Sequence, residues 1–149
     1  MEKVWIYISD KELKGELASV VLKTGEQFVN GWTAHENPLT ASFKIVHDRF
    51  IVVAVDETNY YASGCSTDKL LRFIKQLESD HKLQLLNRLL VGYKTSNGVE
   101  VVSASSVKEK LQAKQLDENT LIYNVAASNS NEFANWLQPL KETWLKKYL

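Results

Sequence analysis

Six consecutive apolar residues, Phe50-Ile51-Val52-Val53-Ala54-Val55, constrain this chain more than any other feature. The run is far shorter than the ~20 residues that cross a bilayer as a helix, and its β-branched residues favour a strand. A strand places successive side chains on opposite faces. One that is apolar at every position must be covered on both sides, which makes it central in its sheet. Polar residues bound it, Asp48-Arg49 before and Asp56-Glu57 after.

The flanking segments supply its partners. Val4-Trp5-Ile6-Tyr7-Ile8 reads as a first strand, and Ser42 to His47 alternates Phe43 and Ile45 with Lys44, as a half-buried strand does. Ser9 and Glu12 match a capping box. They predict a helix with Leu13, Leu17, Val20, Val21 and Phe28 on one face, in which Gly15 and Gly25 each cost roughly 1 kcal/mol relative to alanine. Leu70, Phe73, Ile74, Leu77 and His81 share one side of a second helix starting near Ser66. Leu85 to Tyr93 reads as a strand, Asn97-Gly98 as a hairpin turn and Val99 to Val102 as the return strand. Ser106 and Glu109 form a second capping box, opening a helix through Leu116, and Thr120 to Val125 reads as a strand. A last helix follows Ser130, with Phe133, Trp136, Leu137, Leu140, Trp144 and Tyr148 on its buried face and Pro139 kinking or splitting it.

The order β-α-β-β-α-β-β-α-β-α predicts an α+β fold over residues 1–149 as a single domain: a mostly antiparallel sheet of about six strands, with helices mainly on one face. The first ~90 residues have the order of a ferredoxin-like split β-α-β unit. Lys plus Arg equals Asp plus Glu, 18 against 18, so the chain lacks the basic footprint that nucleic acid or an anionic membrane surface demands. One cysteine, Cys65, allows no intramolecular disulfide. The opening residues lack the apolar core of a secretion signal, so a cytoplasmic location is expected.

The segment most suggestive of chemistry is Ser63-Gly64-Cys65-Ser66-Thr67-Asp68-Lys69, between the central strand and a helix. Free amides of a first helical turn favour anions and activate thiols. Gly64 admits close approach of a ligand to the backbone, and Lys69 adds positive charge. The segment is not a P-loop: with Lys69 as the motif's lysine, Ser63 and Asp68 stand where both glycines belong and Leu70 where the hydroxyl belongs. A second loop carries Trp32 and His35, and His35 would serve as base to a Cys65 nucleophile if the two loops met. Asp56, Glu57 and Asp68 offer carboxylates near the first loop. His47 and His81 form no zinc-ligand pattern. No metal or cofactor is expected.

Two functions follow. The first is a non-enzymatic binding module that recognises a small anionic ligand or a protein partner through Trp32, Ser63, Gly64, Ser66, Asp68 and Lys69. The second is a thiol-dependent enzyme using Cys65 and His35. The first is preferred because the sequence holds no compact catalytic constellation. Homodimerisation through an exposed sheet edge is a third use of the surface.

The runs Trp32-Thr33-Ala34-His35, Leu39-Thr40-Ala41-Ser42, Phe50 to Glu57 and Ala62 to Lys69, with Val4-Trp5-Ile6-Tyr7 and the closing Trp136, Pro139 and Trp144, resemble a group of uncharacterised bacterial proteins of similar length. The resemblance spans nearly the whole chain, and some members carry the label "ABC transporter ATPase". It implies a bacterial cytoplasmic protein and brings no catalytic residue or cofactor.

Overall fold

The computed structural model describes residues 2–149. It opens with β1 (Glu2–Ile8) and α1 (Gly15–Asn30), followed by a short hairpin of β2 (Thr33–Ala34) and β3 (Asn37–Pro38). Next come β4 (Thr40–Val46), β5 (Phe50–Asp56) and α2 (Gly64–His81). The second half holds β6 (Leu90–Thr95), β7 (Gly98–Ser103), α3 (Val107–Gln112), β8 (Leu121–Tyr123), α4 (Ser130–Ala134) and β9 (Leu137–Pro139), then 3₁₀ turns at Leu140–Glu142 and Trp144–Tyr148. The chain is α+β. Its strands form three antiparallel sheets, ordered β1-β5-β4, β2-β3 and β7-β6-β8-β9, where the sequence predicts one.

The run Phe50 to Val55 is the middle strand of the first sheet, and every one of its side chains is buried. Ile51, Val53 and Val55 face α1 and α2, meeting Val21, Val29, Leu70, Ile74 and Leu77. Phe50, Val52 and Ala54 face the second sheet, meeting Tyr123 and Trp136. Phe50 lies edge-on to Trp136 with centroids 4.9 Å apart, a favoured aromatic geometry. Beyond the second sheet, Val91 and Ile122 pack on Val107, Leu140 and Leu145 of α3 and the closing turns.

In the first sheet β5 lies between β1 and β4, with α1 and α2 against one face. A ferredoxin-like unit would add the strand after α2 beside β1. Here β6 instead crosses the opposite face. Gly92 permits that crossing, because a Cβ there would lie 3.0 Å from Phe50 Cζ and 3.2 Å from Ile8 Cδ1. The outer edge of β1 is left without a neighbouring strand.

Several local expectations are corrected. Ser9 does not cap α1: its hydroxyl donates to the Lys11 carbonyl at 2.7 Å, and the helix begins six residues later at Gly15. The intervening amides are used elsewhere, Ser9 on Arg49 O, Asp10 on Gln84 O and Leu13 on Asp48 O, so no helix can start there. Ser106 likewise bonds backward to Ser103 O because a 3₁₀ turn precedes α3. The strand expected from Leu85 starts at Leu90, since Leu83 and Leu85 anchor a loop in the helical core. The last helix is only Ser130–Ala134, and Pro139 ends strand β9. Trp144, expected in the core, is half exposed.

Gly25 sits in the middle of α1 and is buried because the Phe43 ring of β4 occupies the space where a side chain would begin. Alanine at an exposed helical glycine gains about 1 kcal/mol. Here Gly25→Ala is expected to lose about 1–3 kcal/mol through overpacking. Urea unfolding of Gly25→Ala, Phe43→Leu and the double variant tests the contact, since the double variant should recover much of the loss.

Candidate functional site

The loop after β5 is shaped by its own polar groups. Asp56 accepts from the Thr58 hydroxyl and amide, and these bonds hold its carboxyl below the usual range. Glu57 accepts from the Ala62 amide at 2.8 Å. Ser63 caps α2, accepting from the Ser66 amide, while the buried Ser66 hydroxyl donates back to Ser63 O at 2.8 Å. Both hydroxyls of the expected anion site are therefore engaged in the cap. Gly64 faces open space, and Cys65, Asp68 and Lys69 are exposed.

Trp32 is buried, 2% exposed, with its indole Nε1 donating to Ser66 O at 2.9 Å. It lies edge-on to Trp5 and tilted against Phe28. Its role is to lock the first turn of α2 onto the core, and it offers no recognition surface. His35 and Glu36 form the exposed tip of the β2-β3 hairpin, with φ of 49° and 68°. His35 lies on this hairpin tip and Cys65 on the first turn of α2, and no hydrogen bond joins them among the described residues. Nor do three His, Cys, Asp or Glu side chains converge on a metal-sized site among those residues. His47 stacks on Trp136 at 6.3 Å, at the β4-β5 turn.

The larger concavity lies elsewhere. A groove of about 650 Å³ runs beside the outer edge of β1, within the ~300–1,000 Å³ range of ligand sites. Trp5, Ile6 and Tyr7 form its floor, Thr67, Leu70 and Leu71 one wall, and residues 124–128 with Trp144 the other. Leu71 is 41% exposed and Trp144 50%, unusual exposure for large apolar side chains beside a cavity. Sequence reasoning passed over Leu71 and placed Trp144 in the core. The available signal was Leu71, which falls off the buried stripe Leu70, Ile74, Leu77 and yet is apolar.

The floor is a sheet edge with unused backbone groups. The Val4 amide points outward and donates to Ser128 O at 3.0 Å. Alternate residues of a strand direct their backbone groups to the same side, so those of Ile6 and Ile8 also point outward. Among the described residues Ile6 has no backbone partner on that side. The opposite edge of the sheet, β4, borders a groove of about 560 Å³, but it carries the exposed Lys44 at mid-strand. A charge there discourages strand addition.

Comparison of the chain with protein-family models, curated proteins and solved structures found no match. The assignment therefore rests on geometry.

Two measurements follow. The exposed Cys65, the chain's one thiol, is expected to alkylate fully in the native state, with a pH–rate profile that His35→Ala leaves unchanged. Iodoacetamide labelling followed by mass spectrometry reads both. Burial pushes the Tyr7 phenol up to about 12. The native state thus keeps a proton that the unfolded chain releases near pH 10, so this group's stabilisation is intact below pH 10 and is lost as pH rises through about 12. Tyr7→Phe should flatten the alkaline limb of a stability–pH curve from chemical unfolding, by about 2 kcal/mol.

Proposed function

We propose that this protein is a non-enzymatic binding module that holds a segment of a protein partner in the groove along β1. The observation that carries this reading is the coincidence of a sheet edge unpaired beyond Val4, a groove and two exposed apolar side chains, Leu71 and Trp144, at one place. Exposed apolar patches beside concave surfaces mark interaction sites. The Arg88 and Glu142 charges on the groove oppose one another, and the whole chain is neutral. That balance favours a protein partner over a phosphate or nucleic acid.

A small anionic ligand at Ser63–Lys69 is the weaker alternative, because Ser63 and Ser66 cap the helix and Asp68 adds like charge. The thiol-enzyme reading has an accessible Cys65 in its favour but no hydrogen-bonded partner for it among the described residues. The sequence resemblance to the bacterial group extends the proposal to a single-domain protein of a bacterial cytoplasm.

Panning a random heptapeptide display library on the native protein, with counter-selection on Leu71→Glu, tests the reading. Selected peptides are expected to bind saturably, to perturb tryptophan fluorescence through Trp5 and Trp144, and to lose at least about tenfold in affinity to Leu71→Glu. Blocking Cys65 with iodoacetamide should leave binding intact. Enrichment of no peptide, or equal binding to Leu71→Glu, overturns the groove as the site.

A further inference from the structure

Resting on that reading, we infer that the partner is bound as a short extended strand added to β1 alongside Trp5–Ile8, with the backbone of Ile6 as the central rung.

The first observation is the vacancy itself. The split unit leaves one position beside β1, and this chain sends β6 across the other face of the sheet. The second is that the chain already pairs with this edge where it can. Asn129 bridges Lys3 in antiparallel fashion, and Ser128 takes the Val4 amide at 3.0 Å. α4, capped by Asn129, follows toward the start of β1. Toward Ile6 the segment turns on itself, with the Ala127 amide on Asn124 O and the Ala126 amide on the Asn124 side chain, and makes no further backbone bond to the edge among the described residues. The four residues from Trp5 to Ile8 span about 13 Å at ~3.3 Å each. An occupant strand there would extend the sheet without a break, as in other β-strand additions.

The side-chain environment sets the occupant's chemistry. Trp5 and Tyr7 pack with the helical core and Ile6 with the second-sheet core. A strand laid beside them would direct alternate side chains toward Leu70 and Leu71 on one side and toward Val125 on the other. Leu70, Leu71 and Val125 are apolar, and the charges that also line the groove, Arg88 and Glu142, are opposite in sign and balance. The preferred segment is therefore uncharged and apolar at three or four consecutive positions, the pattern that β5 itself carries. Its source is another protein and not a second copy of this chain. A second copy offers no such segment, because this chain's own run of that pattern, Phe50–Val55, is buried as the middle strand of its sheet.

The test uses the tightest synthetic heptapeptide from the display selection, acetylated and amidated, with each backbone amide N-methylated in turn. Calorimetry should show losses of at least about tenfold at alternate amides, those facing Ile6, and little change at the amides between them. Hydrogen exchange should show the Ile6 amide newly protected in the complex, with distant amides unchanged. Binding with uniform or absent sensitivity to N-methylation overturns strand addition while leaving the groove as the site. Failure of every heptapeptide overturns both. If the peptide-free protein sediments as a dimer that Leu71→Glu dissociates, the edge belongs to a second copy and the inference falls.

Discussion

Burial of both faces of β5 is the constraint on which the rest of the structure depends. A strand with no polar position cannot lie on a surface, and a single layer of helices covers only Ile51, Val53 and Val55. Phe50, Val52 and Ala54 require a second layer. At about 25 cal/mol per Å² of apolar surface removed from water, leaving either face uncovered would cost several kcal/mol, comparable with the whole stability of a small domain. The second sheet exists to meet that demand. Its aromatic contacts, Tyr123 and Trp136 on Phe50, are the points at which it does so.

The same demand accounts for the open edge of β1. The strand after α2 has two places to go, beside β1 or over the exposed apolar face. Covering the face removes far more apolar area than pairing one edge, whose amides water can satisfy at little cost. Gly92 makes the crossing sterically feasible, and β6 then nucleates the second sheet. The groove beside Ile6 is thus a by-product of how the core is closed. An unpaired edge left on the surface is an aggregation liability. At β4 the charge of Lys44 deals with it, whereas at β1 the edge lies in a groove that residues of α2 and the segment 124–128 also line.

Sequence periodicity read some of this well and some badly, for identifiable reasons. The doubly apolar run led directly to the central strand, and the stripe Leu70, Ile74, Leu77 to α2, because both patterns are long enough to exclude coincidence. The Asn97-Gly98 hairpin is present with its turn one residue early, at Ser96-Asn97, and Gly98 takes the positive φ of 134°. Capping boxes misled at Ser9 and Ser106, since a serine can bond to whichever neighbouring backbone group tertiary structure leaves free. The helical spacing of Phe133, Trp136, Leu137 and Leu140 joined residues from α4, the link to β9, β9 itself and a 3₁₀ turn, which pack into two different cores without sharing a helix. The turns at His35-Glu36 and His47-Asp48 adopt positive φ without the usual glycine, which leaves no compositional mark.

The candidate site was less legible than the fold, and for a different kind of reason. Inspection by residue type draws the eye to a lone cysteine, a histidine and a serine-rich helix start, because those groups have reactive side chains. Packing then assigns them plain duties: Ser63 and Ser66 close a cap, and Trp32 fastens that cap to the core. A strand-accepting edge is made of backbone groups that every residue possesses, so no residue type announces it. What does announce it is a topological fact, the strand missing from beside β1, together with apolar side chains exposed where a structural role would have buried them. Recognition by backbone would become visible only once the chain's own hydrogen bonds have been traced and, among the described residues, the outward groups of Ile6 are found without backbone partners.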